Sequence, residues 1–135
     1  MLYHLDTEFL VVALSSAGPE RARLLGLAES EADIQISAAA WYEFSRGPRT
    51  PEQLAVARSL FFEDGVVPFS EEIATVAAEV FRNLGSPRRR AADIAIGVTA
   101  SCLEAVLLTC NASDFAGVPR LQIESGDGVG PREAE

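Results

Sequence analysis

The sequence predicts an α/β domain built on a central, mostly parallel sheet. Short β-branched or apolar runs alternate with longer Ala- and Leu-rich helical segments along the 135 residues. Strands that alternate with helices are joined by crossover connections, which make neighbouring strands parallel. The length favours one domain, and a hydrophobic content of 48% is enough for one sizeable core.

The apolar runs predict five strands. These span residues 2–6, 33–37, 66–69, 105–109 and 120–124. The predicted domain therefore covers residues 1–124. The remaining segment, 125–135, is Gly-rich and charged without periodicity, which predicts a disordered C-terminal tail.

Capping residues mark the starts of three helices. Thr50 precedes Pro51 and Gln53, which is the spacing of a capping box with proline in the first turn. Ser70 and Ser86 precede the next two helical segments. These signals predict where the crossover helices begin.

Charge and apolar content limit the possible functions. The formal net charge of -9 argues against non-specific binding to a polyanion. All 11 basic residues are arginines, which form bidentate pairs with phosphate and carboxylate, so any contact with nucleic acid must be local. No apolar run reaches the roughly 18 residues that span a bilayer, and the N-terminus lacks a signal-peptide pattern, so we expect a cytoplasmic protein with no membrane partner.

The few cysteines and histidines give little support for zinc or nucleophilic chemistry. Cys102 and Cys110 lie in or beside apolar segments, where we expect them to pack. His4 is the only imidazole, so a tetrahedral zinc site is not predicted. His4 also shares a strand face with Asp6, and both a packed, hydrogen-bonded histidine and a partner that tunes this carboxylate fit that position.

Four acidic residues fall where a parallel sheet would gather them. Asp6 ends the first predicted strand and Asp114 follows the fourth. Glu43 and Asp93 lie on helices among apolar neighbours. Ligands of such sheets bind beyond the carboxyl ends of the strands, where the strand order switches. Because close like charges need a counter-charge, we expect one or two Mg²⁺ or Mn²⁺ ions, which activate water for attack on a phosphodiester.

Each acid also has a purely structural explanation. Asp6 or Asp114 could cap a helix or form an Asx-turn, and Asp93 could be a first-turn residue that favours the helix dipole. Taken together, four acids of which three have apolar surroundings favour a metal site.

Four segments follow one another in a characteristic order. They are the apolar–Asp–Thr opening, ISAAAWYEFSRG at 36–47, DIAIGVTA at 93–100 and TCNASDF at 109–115. Together they resemble the VapC-type toxins of the PIN-domain nucleases, and Thr-x-Asn-x-x-Asp-Phe is the most specific motif. The resemblance spans nearly the whole chain. It implies a PIN-like three-layer α/β/α sandwich, Mg²⁺- or Mn²⁺-dependent endoribonuclease activity, and neutralisation by a small cognate antitoxin in a type II pair.

The resemblance also implies roles for individual residues. The family's catalytic and metal-binding acids are matched by Asp6, Glu43, Asp93 and Asp114. Hydrogen-bonding support falls to Thr7, Thr109 and Asn111. One departure is Glu8, which stands where the family usually has Asn. Glu8 adds a ligand, replaces a supporting amide or points to solvent, and the sequence leaves these three roles open.

Arginines and aromatic residues give further candidates. Possible contacts to RNA phosphate are Arg46, Arg88, Arg89 and Arg90, and a structural ion-pair role fits the last three equally well. Aromatic residues on helical segments predict core packing, with a homodimer seam or a groove for a partner helix as alternatives; these are Trp41, Tyr42, Phe44, Phe61, Phe62 and Phe81.

Two other functions fit the same pattern. One is a catalytically silent PIN-like module that binds RNA or protein, with Glu8 as the sign of a degraded site. The other is a PIN nuclease in RNA processing that has no antitoxin.

Overall fold

The computed structural model describes residues 1–126 and 130–135, which form strands and helices in alternation. The strands are β1 (Leu2–Leu5), β2 (Asp33–Ser37), β3 (Val66–Val67), β4 (Val106–Thr109), β5 (Gln122–Ser125) and β6 (Arg132–Glu133). The α-helices are α1 (Thr7–Ser15), α2 (Pro19–Ala28), α3 (Ala38–Ser45), α4 (Pro51–Arg58), α5 (Glu71–Asn83) and α6 (Ala91–Cys102). Two short 3-10 turns span Arg88–Arg90 and Ala112–Phe115.

The sheet has the strand order β3-β2-β1-β4-β5-β6. Its first five strands pair in parallel, and β6 pairs antiparallel with β5. The chain builds outward from β1 to β3 and then returns to place β4 on the other side of β1. Right-handed crossovers in these opposite directions put α1 and α2 on one face and α5 and α6 on the other. The predicted three-layer α/β/α architecture is confirmed, and the strand order switches between β1 and β4.

The predicted strands agree with the structure to within two residues at each end. The third strand is the shortest of them and ends at Val67, because Pro68 has no N–H to donate to the ladder. Every residue of β4 is buried, as expected for a strand covered on both faces.

The sheet also extends into the segment that the composition predicts to be a tail, 125–135. Ser125 continues β5, and Arg132–Glu133 pair with Gln122 and Ile123. These residues are therefore part of the sheet, whereas 127–129 of the predicted tail lie outside the described residues. An edge strand of two residues is too short to show an alternation of apolar and polar residues. It is a strand because it pairs with β5, and its own sequence does not predict it.

Two of the predicted helix starts are confirmed as they stand. Thr50 forms a complete capping box, and the Ser70 side chain accepts from the third helical N–H. The third start is displaced. Ser86 has a φ of 55° and caps nothing, so Arg88–Arg90 form a 3-10 turn and α6 begins at Ala91.

Most of the aromatic residues pack as predicted. Phe44 and Phe61 are buried, and Trp41 and Phe81 pack against the core, whereas Tyr42 and Phe62 are exposed. The prediction that both cysteines pack is wrong. Cys102 and Cys110 are exposed, because each lies just where its element ends and turns toward solvent.

Candidate active site

Asp6 lies at the switch in strand order and joins the ends of β1 and β4. Its Oδ1 accepts from the N–H of Thr7 at 2.8 Å, which makes it the N-cap of α1. Its Oδ2 accepts from Oγ1 of Thr109 at 2.9 Å, and the same Oγ1 accepts from the N–H of Asn111 at 3.0 Å. The carboxylate is therefore held on both oxygens in a residue that is only 6% exposed.

The pKa of Asp6 shows that its surroundings disfavour its charge. Burial raises this pKa from an ordinary 3.8 to about 6, although the bonds from Thr109 and Thr7 lower it. The nearby carboxylates of Asp93 and Glu43 raise it further. An acid that is buried, held in place and close to other acids is a candidate for cation binding or for proton transfer.

Glu43 reaches the same region from α3. The Thr7 hydroxyl donates to Glu43 Oε1 at 3.1 Å, so Thr7 connects the start of α1 to this carboxylate. The α3 helix begins directly after β2 because the buried Ser37 caps it, accepting from the N–H of Ala40 at 3.1 Å. A short connection of this kind fixes Glu43 near the carboxyl ends of the central strands.

Asp93 and Asp114 complete the group of acids. Asp93 lies in the first turn of α6 and is half-buried, and burial raises its pKa, followed by the charges of Asp114 and Glu43. The Arg90 guanidinium opposes this rise in the pKa of Asp93. Asp114 is exposed on the 3-10 turn after β4. The pKa values of Asp6 and Asp93 thus respond to the neighbouring acids, so the structure brings the four predicted acids into one region.

The donor chemistry of these acids fits a hard divalent cation. All four groups offer carboxylate oxygens, and the clearest counter-charges nearby are Arg46, 3.9 Å from Glu43, and Arg90. Within residues 1–126 and 130–135, no three acidic, thiol or imidazole side chains already stand in a geometry that would hold a metal ion. The side chains would therefore have to move together to bind one.

The predicted supporting residues contribute in different ways. Thr7 and Thr109 each donate a hydroxyl hydrogen bond to a site carboxylate. Asn111 contributes its backbone N–H, and its side chain is exposed. His4 is 1% exposed, lies 2.8 Å from Gln35 through Nε2, and has a pKa lowered to about 4 by burial, so it is a packed, hydrogen-bonded histidine.

The candidate phosphate-binding arginines lie in two environments. Arg88 and Arg89 are exposed, and across the described parts of the chain no side chain pairs with them. Arg46 stacks over Tyr42 with 5.3 Å between its guanidinium carbon and the ring centroid. Arg90 donates to backbone carbonyls at the Asp114 turn. Glu8 is exposed and has no bonded partner in the part of the chain that the structure describes. The pKa of Cys110 is raised by burial first and then by the charges of Glu20 and Glu8.

One buried carboxylate was missed by the sequence reasoning. Glu124 on β5 is 4% exposed and is bonded by Arg23 of α2 through Nε at 2.6 Å and Nη2 at 3.0 Å. Arg23 also donates to the hydroxyl of Tyr3 at 3.3 Å. Glu124 lies at an inward-facing position of a predicted strand, and this position could have indicated a buried, paired acid. Its partner could not be predicted, because it lies about a hundred residues away in sequence.

An open groove lies between α1, α3 and α4. It encloses about 570 Å³ and is lined by Leu14, Phe44, Pro48 and Val56 together with polar groups. Arg49 forms part of its wall, with its guanidinium carbon 4.1 Å from the centroid of the Phe44 ring. Phe44 follows Glu43 in sequence, so the groove and the acids share one helix.

The family of the chain is shown by its sequence as a whole. The PIN domain family model matches residues 3–121. The chain belongs to the PIN domain family. The resemblance predicted from the four motifs is thereby confirmed at the level of the family, and the matched residues contain all four acids.

Solved structures share this PIN fold over nearly their whole length. VapBC2 from Rickettsia felis, bound to a DNA fragment from its promoter, has a TM-score of 0.72 and 22% identity over 93% of this chain and 98% of that chain. FitAcB from Neisseria gonorrhoeae has a TM-score of 0.72 and 21% identity, with coverage of 96% and 100%. A toxin–antitoxin complex from Klebsiella pneumoniae has a TM-score of 0.71 and 22% identity, with coverage of 94% and 99%. No curated protein matches the chain by sequence.

Proposed function

We propose that the chain is a metal-dependent endoribonuclease and the toxin of a type II toxin–antitoxin pair. Its activity is the hydrolysis of RNA phosphodiesters with Mg²⁺ or Mn²⁺ held by Asp6, Glu43, Asp93 and Asp114. The observation that carries the proposal is the group of four carboxylates at the switch in strand order, in which burial and neighbouring acids raise the pKa of Asp6 to about 6. Membership of the PIN domain family supports it.

The residues of the site divide the work between them. Thr7 and Thr109 orient the carboxylates of Glu43 and Asp6 by donating to them. A bound Mg²⁺ or Mn²⁺ ion would lower the pKa of a reacting water and would stabilise the charge on the phosphate. Burial and the charges of Asp114 and Glu43 raise the pKa of Asp93 in the metal-free protein, so a bound cation would offset the cost of ionising this carboxylate.

Exposed arginines next to Asp93 are suited to bind the RNA backbone. Arg88 and Arg89 end in bidentate donors that match phosphate oxygens. The net charge of -9 confines attraction of RNA to such local groups, so we expect few phosphates to be neutralised and binding to weaken only modestly with salt. Such an activity belongs in the cytoplasm with its RNA substrate. Along the described chain, no helix is long and apolar enough to cross a membrane.

The groove between α1, α3 and α4 is suited to the antitoxin. The Klebsiella neighbour is a toxin–antitoxin complex, and this chain shares its fold over 94% of its length. Leu14, Phe44 and Val56 offer apolar side chains to a partner helix, and the wall contains both Arg49 and Glu52 for polar contacts. An antitoxin helix seated there would contact α3, the helix that carries Glu43.

The nuclease activity is tested with purified protein and structured RNA in Mg²⁺ or Mn²⁺. Asp6→Asn and Asp93→Asn should each lower the cleavage rate at least about a hundredfold, because several kcal/mol of charge stabilisation are lost. Asp33→Asn is the matched control, since this exposed acid lies at the amino end of β2, the opposite edge of the sheet. Cleavage is followed on denaturing gels, with EDTA as the metal-free reference.

Equal cleavage by wild type and the site variants would contradict the nuclease proposal. The chain would then be a binding module with a silent site. Loss of cleavage in both site variants, with normal cleavage in the control, would support the proposal.

The antitoxin is tested by co-expressing the chain with any small protein whose gene adjoins its own. We expect co-purification and suppression of RNA cleavage. Val56→Asp, on a groove residue that is 58% exposed, should abolish co-purification, whereas Leu25→Asp on α2, 53% exposed and outside the groove, should not. An active, freely expressed protein with no inhibiting partner would instead indicate an RNA-processing nuclease.

A further inference from the structure

Three consecutive arginines precede α6, and the third differs from the others in its contacts. Arg88 and Arg89 are exposed, whereas Arg90 is partly buried. Arg90 donates to the carbonyl oxygen of Asp114 from Nη2 at 3.2 Å and from Nε at 3.4 Å. The same Nη2 donates to the carbonyl oxygen of Ala116. One guanidinium therefore bonds two carbonyls of the turn that carries Asp114.

The residue between these two carbonyls anchors the turn from its other side. Phe115 is fully buried and packs against α6 at Gly97. A Cβ atom added at Gly97 would lie 3.1 Å from Phe115 Cδ1, so the ring and the helix are in close contact. The buried Phe115 ring thus holds the middle of the Asp114 turn, and Arg90 bonds the backbone carbonyls of the residues before and after Phe115.

This arrangement relates two of the site acids to each other. Asp93 follows Arg90 by three residues in the first turn of α6, and Asp114 lies on the turn that Arg90 bonds. We propose that Arg90 is a positioning residue that sets the placement of the Asp114 carboxylate relative to Asp93. Its effect on catalysis rests on the proposed nuclease function, whereas its effect on the turn does not.

The alternative for Arg90 is direct contact with RNA phosphate, the role suited to Arg88 and Arg89. The contacts of Arg90 favour the positioning role. Its bonded N–H groups point to the carbonyls of Asp114 and Ala116, and Arg90 is partly buried, whereas Arg88 and Arg89 are exposed. The planar guanidinium of arginine is needed to bond both carbonyls at once, so a lysine in place of Arg90 should not restore these bonds.

The first test measures the turn itself in metal-free protein. Amide hydrogen exchange is followed at Ala116 and Val118, whose N–H groups bond within the turn to Ser113 and Phe115. Arg90→Lys and Arg90→Gln should each lower protection at these amides about tenfold, because a charge-assisted hydrogen bond is lost. Arg88→Gln is the matched control and should leave protection unchanged. Circular dichroism verifies that each variant is folded, and unchanged protection in Arg90→Gln would overturn the proposal.

The second test separates positioning from phosphate binding in the cleavage reaction. A positioning residue predicts a lower kcat with KM within about twofold in both Arg90 variants, since substrate binding is retained and only the reacting geometry changes. Rescue of activity by Arg90→Lys, or a raised KM with unchanged kcat, would overturn the proposal. If protection falls in both variants but no form of the protein cleaves RNA, the positioning of the turn stands and the proposed nuclease function fails.

Discussion

Asp6 combines two roles that conflict while no cation is bound. It caps α1 and accepts from Thr109, which requires a hydrogen-bond acceptor at this position. It is also buried beside Asp93 and Glu43, which disfavours its negative charge. A buried carboxylate in this situation lowers the stability of the fold at neutral pH.

Because the charge of Asp6 destabilises the fold, the free energy of unfolding should depend on pH. The folded-state pKa of Asp6 is about 6 against an ordinary 3.8, so folding favours the protonated form and the stability of the fold falls as the pH rises toward and through about 6. Asp6→Asn should therefore stabilise the metal-free protein at pH 8 by about 2–3 kcal/mol. The gain should shrink below about 1 kcal/mol near pH 4.

Urea unfolding in EDTA at the two pH values measures this difference. Asp33→Asn, at an exposed position, should show no gain at either pH. An Asp6→Asn protein that is less stable than wild type at pH 8 would show that the carboxylate is needed as a cap more than it is disfavoured as a charge.

The place of some residues in the site could be predicted from the sequence, whereas the exposure of others could not. The four acids stood out because each lies at the end of a predicted strand or among apolar neighbours. The exposure of Glu8 and of both cysteines depends on how an element begins or ends, because Glu8 lies in the first turn of α1, Cys102 ends α6 and Cys110 follows β4. Apolar periodicity does not predict which way such residues face, since it describes the interior of an element and not its ends.

At the scale of elements, an ion pair attaches α2 to β5. Arg23 forms a bidentate pair with Glu124 and lies over the Tyr3 ring, with 5.4 Å from its guanidinium carbon to the centroid. The pKa of Arg23 is raised, first by its hydrogen bond to Glu124. Because Glu124 is buried and Arg23 is partly exposed, the two partners depend on each other unequally.

This inequality predicts different costs for removing each partner. Arg23→Met leaves a buried carboxylate without its counter-charge and should destabilise the protein by about 2–4 kcal/mol. Glu124→Gln leaves an arginine that water can reach, and we expect a loss of only about 1 kcal/mol. Denaturant unfolding of the two variants and of the double variant measures the coupling. Equal losses in the two single variants would contradict this assignment.

The elements themselves were predictable where local chemistry creates them. The capping box at Thr50 and the cap at Ser70 involve residues within three positions of each other, so the sequence contains both partners. The pairing of β6 with β5 and the bond from Arg23 to Glu124 join distant segments. Their partners are known only when the chain is folded.

At the scale of the whole molecule, one rule of topology accounts for the site. Outward winding from β1 to β3 and return to β4 open a crevice at the carboxyl ends of β1 and β4. Asp6 and the Asp114 turn follow these two strands directly, and α3 and α6 bring Glu43 and Asp93 to the same edge. Four of the 20 acidic residues are thereby gathered at one edge of the sheet, where a bound cation would be most stabilising.

Binding of a divalent cation should therefore stabilise the whole fold. A ligand that binds only the native state adds about 2.7 kcal/mol at a hundredfold excess over its Kd. We expect Mn²⁺ to raise the Tm of wild type and of Asp33→Asn, but not of Asp93→Asn. Thermal unfolding with and without Mn²⁺ measures this shift independently of RNA cleavage. A shift of the same size in Asp93→Asn would place the bound ion away from these acids.

The alternation of strands and helices, the mostly parallel sheet, the PIN domain family and the candidate acids could all be predicted before the fold was known. Each of these depends on residue spacing or on motifs within single segments. Three contacts became known only from the folded chain: Thr7 bonds Glu43, Arg90 bonds the Asp114 turn and Arg23 neutralises Glu124. These contacts join side chains from different segments, and their geometry follows from the packing of the helices on the sheet.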